Sequence, residues 1–329
     1  MGTRRGAAIT AAILLLAACQ PSGNVASPGA TSSPATSSAP AQSSPSPSAA
    51  FRVVTIGDSI PFGQGDCGGC ADFTTLVAQA LQQQTGETVA AVNLSSHDNL
   101  TGARLLDRIR TNAAMRAAVA QGDMVIVTIG HNDTPWNSTD DPCDGNNPDG
   151  VFNWSKYVGD CVTQQAARHG QELDAILAEI QALRKDAPTA IRVTTDYNDI
   201  IGDPTVGTGG DAPSKAVIDA FAQQTCDVAQ SRGAICVDVY HAFNGPDGTD
   251  DAGALLAGDH THPNADGQRR IADVIVSAGF APLVASTADV AVSAGGAIGP
   301  LPAGSWSYLL VTIATGSWPS AAFAWSLGP

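Results

Sequence analysis

The sequence predicts an α/β protein in which five β-rich runs form a parallel sheet covered by helices on both faces. Phe51–Ile56, Thr88–Leu94, Met124–Ile129, Ile191–Thr195 and Ala234–Val239 are short, and four of them are nearly continuous Val/Ile runs. That is the composition of strands buried on both sides. Between the runs lie longer stretches of helical periodicity, so strand and helix alternate along the chain.

Taken in order, the helical stretches fall near Phe73–Gln84, Ala103–Ala120, Gln165–Lys185 and Ser214–Arg232. The third is the clearest: Leu173, Ile176, Leu177, Ile180 and Leu183 recur at three- and four-residue steps, which puts them on one helix face. A last helix is expected after Pro263, with Ile271, Val274 and Ile275 on its buried side and the proline in a first turn that needs no donor. Thr134 to Asp160 is rich in Gly, Pro and Asn and reads as a loop insertion. These elements define a domain over residues 51–285.

The flanks have a different character. Arg4 and Arg5 precede an apolar stretch, Ala7 to Ala18, that is shorter than a membrane span. It closes with Leu16-Ala17-Ala18-Cys19, which resembles a bacterial lipobox, so residues 1–19 are expected to be a lipoprotein signal with Cys19 lipidated. Residues 20–50, almost wholly Ser, Pro, Ala, Thr and Gly, bury too little apolar surface to offset their ordering entropy and read as a disordered tether. The implied location is the outer face of the bacterial cell membrane, with the lipid anchor as the only membrane contact. Residues 286–329, with Trp306, Trp318, Trp325 and a short apolar patch, Tyr308–Ala314, form a tail whose structure the sequence leaves open.

Of 329 residues, 31 are Asp or Glu and 16 are Lys or Arg, a net charge of -15 that excludes a nucleic-acid partner. Beyond Cys19, six cysteines remain, an even number suited to disulfides in an exported chain. Their clustering favours Cys67–Cys70, Cys143–Cys161 and Cys226–Cys236. Zinc is the rival for Cys67 and Cys70, but no second pair completes a tetrahedral set. The acidic loop Asp247–Asp251 lacks the ligand spacing of a calcium loop. No metal and no cofactor is expected.

Three motifs fall where open α/β sheets place their ligands, one just before the last helix and two just after predicted strands. Gly57-Asp58-Ser59-Ile60 comes after the first, with glycine allowing a sharp turn that lifts the Ser59 hydroxyl and Asp58 bracing that turn. Gly130-His131-Asn132-Asp133 comes after the third; an Asn amide there can donate to an oxyanion. Asp259-His260-Thr261-His262-Pro263 precedes the last helix, and its three-residue step can bring a carboxylate onto the His262 ring. His260 is expected to point elsewhere.

In order and approximate spacing, these residues resemble the SGNH (GDSL-type) hydrolase family from about Phe51 to Leu283. The resemblance implies a three-layer α/β/α sandwich, the flavodoxin-like SGNH hydrolase fold, with Ser59 as nucleophile, His262 as base and Asp259 orienting it. The oxyanion hole would be formed by Ser59, Asn132 and Gly130. The family usually has a glycine after the second strand; here the equivalent position is Asp98 or Asn99, and His97 nearby reads as a rim residue. The implied activity is hydrolysis of short-chain acyl or acetyl esters by a monomer acting on a small-molecule ester. The rivals are a lipase or phospholipase, an acyltransferase with the same triad, and a tethered binding module.

Overall fold

The computed structural model describes residues 49–63, 67–138, 141–145, 152–185, 187–206 and 209–284. The leader with Cys19, nearly all of the tether and the tail lie outside them. Strands β1 (Phe51–Gly57), β2 (Val89–Asn93), β3 (Met124–Thr128), β4 (Ala190–Thr194) and β5 (Ile235–Val237) form one sheet in the order β2-β1-β3-β4-β5. Every pairing is parallel. Chain order reverses between β1 and β3, which opens a crevice at their carboxyl ends.

Alternation along the strands divides the core. Val53, Met124 and Ile126 face α1 (Phe73–Thr85), α6 (Val239–Asn244) and α7 (Ala265–Ser277) through Phe73, Leu81, Phe243 and Ile271. Val54, Ile56, Val125 and Val127 face the other layer: α2 (Gly102–Thr111), α3 (Ala113–Gln121), α4 (Asp160–Arg184) and α5 (Asp211–Ser231). Burial on both sides is why these strands read as unbroken apolar runs.

The structure departs from the sequence reading in three places. The single helix expected over Ala103–Ala120 is two, because Asn112 leaves helical geometry and its side chain caps α3 by accepting the Met115 N–H. The last helix starts after Asn264, which caps it with its side chain, while Pro263 forms an isolated antiparallel bridge with Leu256. The insertion expected to be a polar loop instead packs Trp136, Trp154 and Tyr157 against Val217, Ile218 and Phe221 of α5. All three expected disulfides are present, and Cys143–Cys161 closes this insertion.

Candidate active site

Ser59 lies two residues beyond the end of β1 and is 7% exposed. Asp58 braces the turn as expected, its Oδ1 accepting the Ile60 N–H at 3.0 Å. Gly57 has a different purpose from the turn expected of it. It is the last residue of β1, and a Cβ there would lie 2.0 Å from the Thr128 carbonyl oxygen. Glycine lets β1 and β3 pair right up to the site. Among the described residues no group accepts from the Ser59 N–H.

Gly130 ends the β3 segment at φ 138°, with Asp196 Oδ2 and the His169 ring packed where a side chain would go. The next three residues form a short 3-10 turn carrying buried Asn132, whose Nδ2 donates to the Leu100 carbonyl at 3.1 Å. That bond occupies one of the two amide protons. Asp133 turns the other way and accepts the Gly102 N–H at 3.0 Å, closing the amino end of α2.

The third motif folds as a tight hairpin, with the Ala257 N–H on the His262 carbonyl at 2.7 Å. Asp259 Oδ2 lies 2.6 Å from His262 Nδ1, while Oδ1 accepts the His262 and Thr261 N–H groups. Partial burial would raise the Asp259 pKa; the bonds from His262 and Thr261 outweigh it and hold the carboxyl below its usual range. His262 Nε2 is buried and, among the described residues, has no hydrogen-bond partner, Ser59 included. His260 sits at φ 58° in the same turn.

Contacts from several elements join the motifs. The Ser96 N–H donates to the carbonyls of Gly57 and Asp58, and the His97 ring stacks on His262. Gln268, fully buried in α7, accepts the Phe73 N–H and donates to the Ile60 carbonyl. Tyr197 Oη donates to the Thr261 carbonyl, and Asp199 accepts from Thr261 Oγ1. Sequence reasoning missed Gln268, Tyr197 and Asp199. The one available signal was the polar run Asp196-Tyr197-Asn198-Asp199, which follows a strand as the first two motifs do.

Four buried carboxyl groups sit in or against the motifs: Asp58, Asp133, Asp196 and Asp199. Burial pushes Asp58 up to about 7 and Asp133 up to about 8, and raises Asp196 and Asp199 as well. Burial lowers His131, and lowers His169 to about 4. Beside Asn132 opens a pocket of about 250 Å³ whose lining includes Asn99, Thr101, Arg104, Asn137, Gln165 and Arg168. Asn99 holds a left-handed backbone, φ 53°, in the segment where the family glycine was expected. Among the described residues no group of three His, Cys, Asp or Glu side chains is placed to hold a metal.

The five-stranded parallel sheet with helices on both faces is the α/β architecture of an SGNH-type hydrolase. The chain belongs to the GDSL-like lipase/acylhydrolase family, whose model matches residues 55–270. Among solved structures it is similar to a lipase from a goat rumen metagenome, with 16% identity and a TM-score of 0.57, covering 71% of this chain and 100% of that one. An acetylxylan esterase of Geobacillus stearothermophilus is 21% identical over 70% of this chain and 94% of that one, with a TM-score of 0.48. An α/β hydrolase from the metagenome of Lake Arreo, Spain, is 23% identical over 70% and 95%, also at 0.48. These likenesses concern the fold. Comparison with curated proteins finds no match.

Proposed function

We propose that the chain hydrolyses short-chain acyl or acetyl esters through an acyl-enzyme on Ser59. The observation that carries this reading is the state of His262: Nδ1 is held by Asp259, while Nε2 is buried and bonded to nothing among the described residues. A base so arranged has one nitrogen fixed and the other available for a proton. Ser59 Oγ attacks the ester carbonyl, and its proton passes to Nε2. The oxyanion is met by the Ser59 N–H and the remaining Asn132 amide proton, with the Asn99 N–H in place of the family glycine's. His262 then protonates the leaving alcohol, and water releases the acyl group by the same steps in reverse. A bond from Ser59 to His262 that is open without substrate commonly closes in the complex.

The pocket beside Asn132 supports a small acyl group on a polar scaffold, such as an acetylated glycan. Its lining is mostly amide, hydroxyl and guanidinium, with the Asp133 carboxyl and the His169 ring, and about 250 Å³ is small for a ligand pocket. Three disulfides support an exported enzyme, in keeping with the lipid anchor at Cys19. The test is Ser59→Ala on acetyl and longer-chain chromogenic esters. A loss on the order of 10⁴-fold or more in kcat is expected, with turnover by the parent falling as the acyl chain grows. Retained turnover in the variant removes Ser59 from the mechanism.

A further inference from the structure

His97 lies after β2 and belongs to none of the three motifs. Its ring stacks on His262 with centroids 4.6 Å apart and planes 28° from parallel. It also meets Phe62 edge-on at 5.8 Å. The three rings come from three segments that the reaction needs together. Phe62 belongs to the Ser59 turn, its N–H donating to the Ser59 carbonyl at 3.1 Å. His262 is the base, and His97 stands between them.

The backbone on either side of His97 is tied down. The Ser96 N–H donates to Gly57 O at 3.1 Å and Asp58 O at 3.2 Å, which fixes the segment to the nucleophile turn. Asp98 accepts from Ser96 Oγ at 2.7 Å and pairs with Arg104 and Arg108 of α2. An exposed ring on a loose loop would swing away from its neighbour, whereas this one is presented from a frame anchored at both ends.

The bond from His262 Nδ1 to Asp259 sets one direction in the imidazole plane and leaves the ring free to tilt about it. A flat ring against the imidazole face opposes that tilt without occupying Nε2. We propose that His97 is a positioning residue for the base: its ring face holds the His262 plane so that Nε2 is aimed at Ser59, and it shields that nitrogen from water. This rests on the reading of His262 as the base. It assigns a task to the shape of the His97 ring, not to its nitrogens.

The experiment compares His97→Ala and His97→Phe with the parent, reading kcat and KM on a short-chain ester, the rate of Ser59 labelling by a fluorophosphonate, and the melting temperature. His97→Ala is expected to lower kcat and the labelling rate together, roughly 3- to 10-fold, the range of one aromatic stacking contact. KM and the melting temperature should stay near parental values, because the residue is exposed. His97→Phe restores a flat face and should recover most of both rates. Three results would each overturn the proposal: parental rates in His97→Ala, a Phe variant as slow as the Ala variant, or an effect confined to KM. A parent chain that neither turns over esters nor labels at Ser59 would remove the base reading itself, and with it this proposal. An active parent with an indifferent His97 would remove the positioning role alone.

Discussion

Asp238–His241 and Asp259–His262 are the same local device built twice in one domain. In each, one carboxylate oxygen accepts the histidine N–H three residues on, at 3.1 and 3.0 Å, and the other meets its ring Nδ1, at 2.7 and 2.6 Å. What differs is the far side of the ring. The His241 side chain is 41% exposed, against 13% for His262. In the hollow around His241, Cys226 is spent in a disulfide and the Thr195 hydroxyl accepts the Tyr240 N–H. Around His262 stand the His97 ring, the turn joined by Ser96 to the Ser59 segment, and an Nε2 held out of water. An oriented imidazole is thus common, and what a catalytic base needs in addition is a dry, shared rim.

The widest gap between the two turns should appear on removing each ring. His262→Ala is expected to cost on the order of 10⁴-fold or more in kcat, the scale of losing a triad base. His241→Ala should change it less than about twofold. Steady-state kinetics on one short-chain ester checks both, and equal losses would break the distinction drawn between the turns.

How far this was legible in the sequence depends on the scale of the feature. The sheet could be read because strands buried on both faces must be apolar throughout, and Ser59, Asn132 and His262 could be picked out as candidates because each lies in a short motif just after a strand or just ahead of a helix. Asp-x-x-His alone would have chosen equally between Asp238 and Asp259; Pro263 and the order of the three motifs made the choice. The break at Asn112 was hidden because good helix formers flank it, Leu and Arg before it and Ala after it, and only the cap geometry shows that a new helix begins. Gln268 was invisible for another reason. Its bonds to the Phe73 N–H and the Ile60 carbonyl join segments about two hundred positions apart, and no local pattern records them. The aromatic cluster of the insertion was masked by the Gly, Pro and Asn around it.

A subtler pair of substitutions keeps both rings and changes only their partners. Asp259→Asn should lower kcat by roughly 10⁴-fold, since an amide in that place favours the wrong imidazole tautomer and cannot balance the imidazolium. Asp238→Asn should leave kcat within about twofold and the melting temperature nearly unmoved. Asp238 caps α6 by accepting the His241 N–H, and Asn serves as a cap about as well. A marked fall in activity for Asp238→Asn would mean that the outer turn communicates with the rim.

The smallest expected effect concerns the buried titratable groups around the motifs, and it is read in stability. Asp133 is raised by burial to about 8 and Asp58 to about 7, so in the folded chain they keep protons that the unfolded chain has released above roughly pH 4. Stability from these groups therefore falls as pH rises towards their folded values. His169, lowered by burial to about 4, acts in the opposite sense: the unfolded chain takes up its proton first, so stability is lost as pH drops below about 6.5. The two contributions oppose each other between about pH 4 and 6.5, and from there to about pH 8 the carboxyls act with little opposition from histidine. The melting temperature should accordingly decline from pH 6.5 to 8. Asp133→Asn, which keeps an acceptor for the Gly102 N–H but has no proton to lose, should make that decline shallower. A melting temperature that rises across this interval, or a slope unchanged in Asp133→Asn, would show that Asp133 is already ionised in the folded chain, with the amino end of α2 balancing its charge.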